Sequence, residues 1–198
     1  FTDVDGRFSN HHPNPVDPDT LKLLNEQVHS AGAECGIGFD GDGDRIGVID
    51  KTGRQVSGDL LTAFLSLDIL DRHKGAEILF DVKSSSTALD IVRQAGGKPH
   101  LWRTGHSHMK KRLKELGAPL AGEMSGHIFI ADDFYGFDDA LYVACRFLSR
   151  LTHMKQERNE SLADFLDRLP PSFTTPECHI HCPDNEKFTA VEQLSQQI

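Results

Sequence analysis

The sequence predicts an α/β fold, and three observations carry that reading. Short apolar runs of strand length, such as Ile46-Gly47-Val48-Ile49 and Ile78 to Val82, alternate with longer amphipathic stretches whose apolar residues recur at helical spacing. Turn residues separate them, at Lys51-Thr52-Gly53, Gly117 and Pro170-Pro171. No internal repeat or low-complexity segment is present, which sets aside helical-repeat and all-β sandwich architectures.

The elements follow in order. Leu21 to Ala31 is expected as a helix after a Pro-rich turn, and Glu34-Cys35 opens a strand that Ile46-Gly47-Val48-Ile49 answers across an acidic loop. A boundary falls near Lys51-Thr52-Gly53, giving a first unit over 1–54. The second unit, 55–169, is expected to hold a helix from Asp59 to His73, a buried strand from Ile78 to Val82 and a helix from Ser86 to Gln94 capped by serine. A strand from Pro99 to Trp102, a helix from Ser107 to Leu116 closed by Gly117, and a helix from Phe137 to Leu151 complete it. After Pro170-Pro171, Glu177 to Cys182 reads as the first strand of a third unit, 170–198.

Composition narrows the function. The chain has 198 residues and a net charge of −9, which argues against nucleic acid or an anionic membrane as partner, since both call for a basic surface. Its longest apolar stretches fall short of the about 18–20 residues that cross a bilayer, and Phe1-Thr2-Asp3 opens no basic and apolar signal block. Four scattered cysteines, Cys35, Cys145, Cys178 and Cys182, read as reduced thiols, so a cytoplasmic location is expected and the Asn159-Glu160-Ser161 sequon carries no meaning. No obligate protein partner is expected.

Asp40-Gly41-Asp42-Gly43-Asp44-Arg45 is the most informative stretch. It sets three carboxylates at alternate positions after an apolar run, with glycines between them that let the backbone turn tightly. Mg2+ takes oxygen ligands at about 2.0–2.1 Å in octahedral geometry, and this spacing suits it. An EF-hand loop needs Gly at position six and Glu at position twelve, which here are Arg45 and Lys51. Arg45 beside the acids suggests a site that handles a cation and a phosphate together.

Gly122-Glu123-Met124-Ser125-Gly126-His127 lies between apolar Ala118 to Leu120 and Ile128 to Ile130, at an expected strand-to-strand turn. Two residues apart on an extended backbone, Glu123 and Ser125 would point to one side. Arg103 to Arg112 forms a local basic block whose expected helix start near Ser107 would favour an anion, while Lys110, Lys111, Arg112 and Lys114 read as a solvated helix face. Cys178-His179-Ile180-His181-Cys182 has zinc-type ligands, but on a strand its thiols and imidazoles face opposite ways, so a structural strand is expected.

Taken with Asp3-Val4-Asp5-Gly6-Arg7-Phe8 through Pro15, Phe80-Asp81-Val82-Lys83 and Thr104-Gly105-His106-Ser107, these motifs resemble the α-D-phosphohexomutase family in its bacterial phosphomannomutase/phosphoglucomutase branch. The resemblance implies consecutive mixed-sheet α/β domains, incomplete at both ends: the end of domain 2, all of domain 3 and the start of domain 4. It implies reversible transfer of phosphate between the 1 and 6 positions of mannose or glucose phosphate, through a phosphoserine enzyme and a hexose 1,6-bisphosphate intermediate. Asp40, Asp42 and Asp44 would hold one Mg2+, and Arg45 the phosphate. Glu123 and Ser125 would bind hexose hydroxyls with His127, Thr104 and Gly105 close by, and His106 and Lys83 would assist the chemistry. Met124, where phosphoglucosamine mutases tend to carry glutamine, tilts the substrate toward mannose and glucose phosphates. Arg103 stands where the family often has lysine.

The Ser-His-Asn-Pro phosphoserine loop and the Arg-rich phosphate loop of the last domain are absent from the sequence, and Ser9 to Pro13 resembles the former only superficially. The chain therefore reads as a fragment expected to be inactive alone. The alternatives are a Ca2+/Mg2+ or sugar-phosphate binding module, and a haloacid-dehalogenase-type phosphatase with Asp3 as nucleophile.

Overall fold

A 3-10 turn at Pro18–Leu21, capped by the Asp17 carboxylate accepting from the Asp19 amide at 3.0 Å, leads into helix α1 (Lys22–Ala31). The computed structural model describes residues 5–171 and 181–196. Strands β1 (Cys35–Phe39) and β2 (Ile46–Asp50) form an antiparallel hairpin with Phe39 opposite Ile46, and β3 (Gln55–Val56) pairs along the other edge of β2. All five residues of β2 are buried because both faces are covered. Ile49 packs with Leu21 and Val28 beside α1, while Ile46 and Val48 turn into the main core, which is the two-residue alternation of a strand.

The second sheet has the order β5-β4-β6-β7, built from β4 (Glu77–Asp81), β5 (Lys98–Trp102), β6 (Leu120–Gly122) and β7 (Ile128–Ile130). The first two pairings are parallel and β6-β7 is an antiparallel hairpin. Helix α3 (Ser86–Gln94) connects β4 to β5, and α4 (His106–Leu116) crosses back over β4 from β5 to β6, as parallel strands of one sheet require. Ile78 and Phe80 of β4 join the main cluster while Leu79 packs with Met109, Leu113 and Phe129, so the sheet is covered on both sides.

Helix α2 (Gly58–Arg72) has Leu61, Phe64, Leu65, Ile69 and Leu70 all buried, with Thr62 and Ser66 buried among them, so it is enclosed rather than amphipathic. Phe64 meets Phe147 at 5.6 Å and Phe165 at 5.1 Å between ring centroids, which fastens α2 to α5 (Ala140–Arg158) and α6 (Leu162–Asp167). One hydrophobic cluster thus runs from Ile46 and Val48 of the first sheet to Ile78 and Phe80 of the second. The strands flanking the acidic loop are anchored in the same core as the second sheet.

Most expected elements occur within a residue or two of their expected bounds, and the exceptions have local causes. Helix α5 starts at Ala140, not Phe137, because the Asp139 carboxylate caps it by accepting the Tyr142 amide at 2.9 Å. It runs on to Arg158, where Asn159 adopts the left-handed cap conformation. Helix α6 was not anticipated, although Ser161 and Asp164 form a reciprocal capping box at its start. Nor was α7 (Lys187–Ser195), which has no buried residue. Of the expected Glu177 to Cys182 strand and its Cys/His cluster, only His181 and Cys182 lie among the described residues, and they are not in a strand.

Asp50 ends β2 with its side chain fully buried. Its Oδ1 accepts from the Thr52 amide at 2.8 Å, the Thr52 hydroxyl at 2.6 Å and the Arg54 amide at 3.1 Å, while Arg54 Nε donates to Oδ2 at 3.0 Å. Burial alone would raise this carboxyl, but the bonds from Thr52 and Arg54 outweigh it and hold it below the usual carboxylate range. A depressed folded value adds stability above the ordinary carboxylate pKa, and that stability is lost as pH falls through the folded value. Asp50→Asn is therefore expected to lower stability by about 1–3 kcal/mol at neutral pH. The gap between variant and parent urea midpoints should close on acidification; a gap that does not change with pH would contradict this.

Candidate active site at the meeting of two loops

The acidic loop Asp40 to Arg45 is folded by the first of its own carboxylates. Asp40, almost wholly buried, accepts at Oδ1 from the amides of Gly43 at 3.0 Å and of Asp44 and Arg45 at 3.2 Å, and at Oδ2 from Arg45 Nε at 2.7 Å. Gly43 turns the chain at a φ of +77°, which a side chain would resist. As a result, one carboxylate oxygen from each of Asp40, Asp42 and Asp44 lies within 4.8 Å of the others.

This donor set fits a hard cation. It is all oxygen, and its carboxylates crowd one another. Burial pushes the Asp44 carboxyl up, with Asp40 and Asp42 adding and His127 opposing. Burial also works against ionised Asp40, yet Arg45 holds it below the usual range. Mutual repulsion of this kind is what a bound cation relieves.

The second loop departs from the expectation of an extended backbone. The Glu123 amide donates to the His127 carbonyl at 2.9 Å and the Gly126 amide to the Glu123 carbonyl at 3.1 Å, so Gly122 to His127 is a tight turn joining β6 to β7. Glu123 and Ser125 consequently do not share an open face. Glu123 is turned inward with its side chain 2% exposed; Oε1 accepts from the Gly105 amide at 2.5 Å, and Oε2 lies 3.3 Å from His127 Nδ1. The Ser125 hydroxyl lies 2.8 Å from the same Nδ1. Burial opposes ionisation of Glu123, but His127 and the Gly105 amide together hold it below its ordinary value. Burial opposes the charged imidazole of His127 too, and Glu123, Asp44 and Asp138 outweigh it and raise that ring.

The two loops are in contact. Ile46 N donates to Gly126 O at 3.1 Å, Arg45 and His127 form an antiparallel bridge, and His127 Nε2 lies 3.4 Å from Asp44 Oδ2. Gly126 has a φ of +92°, and a Cβ there would fall 2.6 Å from the Ile46 carbonyl oxygen. On the other side, a Cβ on Gly58 would lie 2.3 Å from the Glu123 carbonyl oxygen, so the start of α2 presses directly on the turn.

The remaining residues cluster at the carboxyl ends of β4, β5 and β6, where open α/β sheets place ligands. Asp81, buried at the end of β4, accepts from the Ser84 hydroxyl at 2.9 Å, the Met124 amide at 3.3 Å and the Thr104 hydroxyl at 3.4 Å, and burial pushes its carboxyl up. Lys83 follows, exposed, its charge felt by Asp81. Gly105 caps α4 at a φ of +124°, and His106 opens that helix one residue earlier than expected. The His106 and His127 rings stack at 5.9 Å. The structure therefore brings together Asp40, Asp42, Asp44, Arg45, Glu123, Ser125, His127, Gly105 and His106, with Thr104 joined through Asp81. Arg103 lies apart, beside Val82, Leu101 and Trp102.

Asp138 was missed by the sequence reading. Its side chain is 8% exposed; Oδ1 accepts from Lys110 Nζ at 2.9 Å and Oδ2 lies 3.9 Å from His106 Nδ1. Lys110 is accordingly not part of a solvated helix face as expected, because Asp138 and the Phe129 ring, 5.9 Å away, take it. Asp44, His127 and Asp138 also offer ligand atoms within 4.8 Å of one another. The Lys110 ammonium and the histidines already balance those carboxylates, so the group is an ion-pair network.

Comparison with known proteins agrees with this fold. The sequence model described as phosphoglucomutase/phosphomannomutase, α/β/α domain III, matches residues 57–173, and that of domain II matches 1–53. A phosphomannomutase/phosphoglucomutase of Pseudomonas putida is 44% identical over 196 residues, covering 99% of this chain and 42% of the relative. A phosphoglucomutase of Neisseria gonorrhoeae is 39% identical, covering 98% of this chain and 42% of that protein. The crystal structure of a phosphoglucomutase/phosphomannomutase family protein from Burkholderia thailandensis superposes with a TM-score of 0.82 at 44% identity, covering 89% of this chain and 37% of that one. This chain belongs to the phosphoglucomutase/phosphomannomutase family, whose fold it shares. It spans less than half the length of these curated relatives.

Added Mn2+ is expected to broaden the amide NMR signals of Gly41 and Gly43 first. Asp44→Asn should weaken that binding about tenfold or more, on the scale of perturbed metal sites. Broadening centred elsewhere would remove the acidic loop as the cation site.

Proposed function

We propose that this chain carries the cation-binding and sugar-binding half of a reversible phosphohexomutase, which moves phosphate between the 1 and 6 positions of mannose or glucose phosphate through a hexose 1,6-bisphosphate. The observation that carries the reading is the contact of the two loops through Ile46, Gly126, Asp44 and His127. That contact supports the reading because it sets the oxygen-rich Asp40–Arg45 loop beside the turn that carries Glu123, Ser125 and His127. The Pseudomonas, Neisseria and Burkholderia proteins support it through their family relationship.

In this reading Asp40, Asp42 and Asp44 hold one Mg2+, and Arg45, already fixed by Asp40, turns its remaining guanidinium donors to a phosphate. When bound, the cation neutralises charge on the transferring phosphoryl group. Ser125 and the spare lone pairs of Glu123 meet the hexose hydroxyls, with His127 held between them and Asp44. His106 takes a proton from the attacking hydroxyl, or returns one to the leaving oxygen, and Lys83 and the backbone at Thr104 and Gly105 line the same space. Because Glu123 now satisfies the Gly105 amide, sugar binding draws on the same carboxylate that ties the turn to α4.

The phosphoserine loop of the family has no counterpart among these motifs, and we assign it to a part of the fold that this chain does not span. We assign residues 1–54 to the end of domain 2, 55–169 to domain 3 and 170–198 to domain 4. Among the described residues no helix is long and apolar enough to cross a membrane.

Glucose 1-phosphate added with Mg2+ is expected to shift the amide signals of Ser125, Gly126 and His106, and Ser125→Ala should weaken that binding by about fivefold, the scale of one lost hydrogen bond. If the sugar phosphate moves nothing near Glu123, the assignment of this turn is wrong.

A further inference from the structure

Among the described residues, Asp138 shares with Glu34 and Arg150 a buried side-chain atom that has no hydrogen-bond partner, and of the three it is the one beside the candidate site. Oδ1 accepts from Lys110, whereas Oδ2 is buried without a hydrogen-bond partner and lies 3.9 Å from His106 Nδ1. An orphaned buried carboxylate oxygen is costly unless it serves an interaction formed at another stage. Its main chain is fixed from two sides. Asp138 bridges to Phe129 of β7, and two residues on the Ala140 amide donates to the Gly43 carbonyl at 3.0 Å. Asp139, not Asp138, caps α5, so the helix start does not account for the Asp138 carboxylate.

The surroundings of that oxygen are directional. His106 and Lys110 lie four residues apart on α4, on one face of the helix, and Asp138 reaches both from the segment that precedes α5. At 3.9 Å the approach to His106 is an electrostatic contact longer than a hydrogen bond, and such contacts tighten when a ligand is bound. An Nδ1–H aimed at Asp138 leaves Nε2 of His106 as the ring's proton acceptor. Through Ala140 and Gly43 the same segment is tied to the acidic loop, so the orientation of His106 is referenced to the cation-binding carboxylates rather than to α4 alone.

We infer that Asp138 is a positioning residue that sets the ring orientation and tautomer of His106, with Lys110 as its counter-charge. The role in sugar-phosphate chemistry rests on the function proposed above, whereas the orientation of His106 does not. A second, purely electrostatic role for Asp138 predicts the opposite sign in binding: loss of a negative charge beside a phosphate site would tighten the anion, and loss of positioning would loosen it.

The test uses imidazole 15N spectra of the whole chain and of Asp138→Asn, with glucose 1-phosphate as the probe. In the parent the neutral His106 ring is expected in its Nδ1–H form, moving toward the Nε2–H form in D138N, while His127, held by Ser125 and Glu123, shifts at most with the lost charge and keeps its tautomer. Affinity for glucose 1-phosphate should fall about fivefold, the scale of one tethering bond. Unchanged His106 signals, or tighter sugar-phosphate binding, would overturn the inference. Should D138N fail to fold, Lys110→Met, on the face of α4 that meets Asp138, releases the other tether, and the same His106 signals must move or the inference fails. If the parent chain does not bind glucose 1-phosphate while D138N still moves His106, the positioning role stands and the mutase reading falls. If the parent binds and His106 does not respond, the reverse holds.

Discussion

The contact between Ile46 and Gly126 is the constraint on which the site depends. It joins the first residue of a buried strand to the tip of a turn that begins about eighty residues later in the sequence, through one backbone hydrogen bond and the adjoining Arg45–His127 bridge. Backbone contact this close admits no side chain at position 126, and the positive φ there removes most other choices. Because Ile46 and Val48 belong to the same core as Ile78, Phe80 and Ile128, the loops are held by packed strands rather than by their own short-range bonds. Such support fixes the Asp40–Arg45 loop and the Gly122–His127 turn relative to each other before any ligand arrives, as positioning on a rigid scaffold requires.

Charge in this region is arranged so that nearly every carboxylate has a stated counterpart. Asp40 is matched by Arg45, Glu123 by His127 and the Gly105 amide, and Asp138 by Lys110. Asp44 has His127 3.4 Å away, yet burial and its acidic neighbours still raise it. Farther away, Asp132 accepts from Arg72 and Arg146 at 2.5 and 2.7 Å, where paired charges serve packing between α2 and α5 and no ligand atom is left unused.

The strands, the main helices and both loops could be read from the chain because their determinants are local. Alternating Asp and Gly after an apolar run specify a tight acidic turn whatever surrounds it, and Ser85 and Gly117 mark the start and close of helices by backbone chemistry alone. Helix α6 carried a local signal too, in Ser161 and Asp164, that went unread. The direction of Glu123 was not legible in this way. Two-residue spacing predicts a shared face only if the backbone is extended, and the turn closed by the Gly126 amide removes that condition.

By itself, the sequence determined the α/β class, the alternating acidic triad Asp40, Asp42 and Asp44, and the tight Gly-flanked turn around Glu123, because these depend on residue type and on spacing within a few positions. Tertiary structure alone decided that the acidic loop meets the Gly122–His127 turn, that Glu123 is committed to the Gly105 amide, and that Asp138 and Lys110 belong to the site. Each of those depends on contacts between segments far apart in the chain, whose partners are chosen by which faces of β2, α2 and the second sheet must be buried together, and no local pattern encodes that choice.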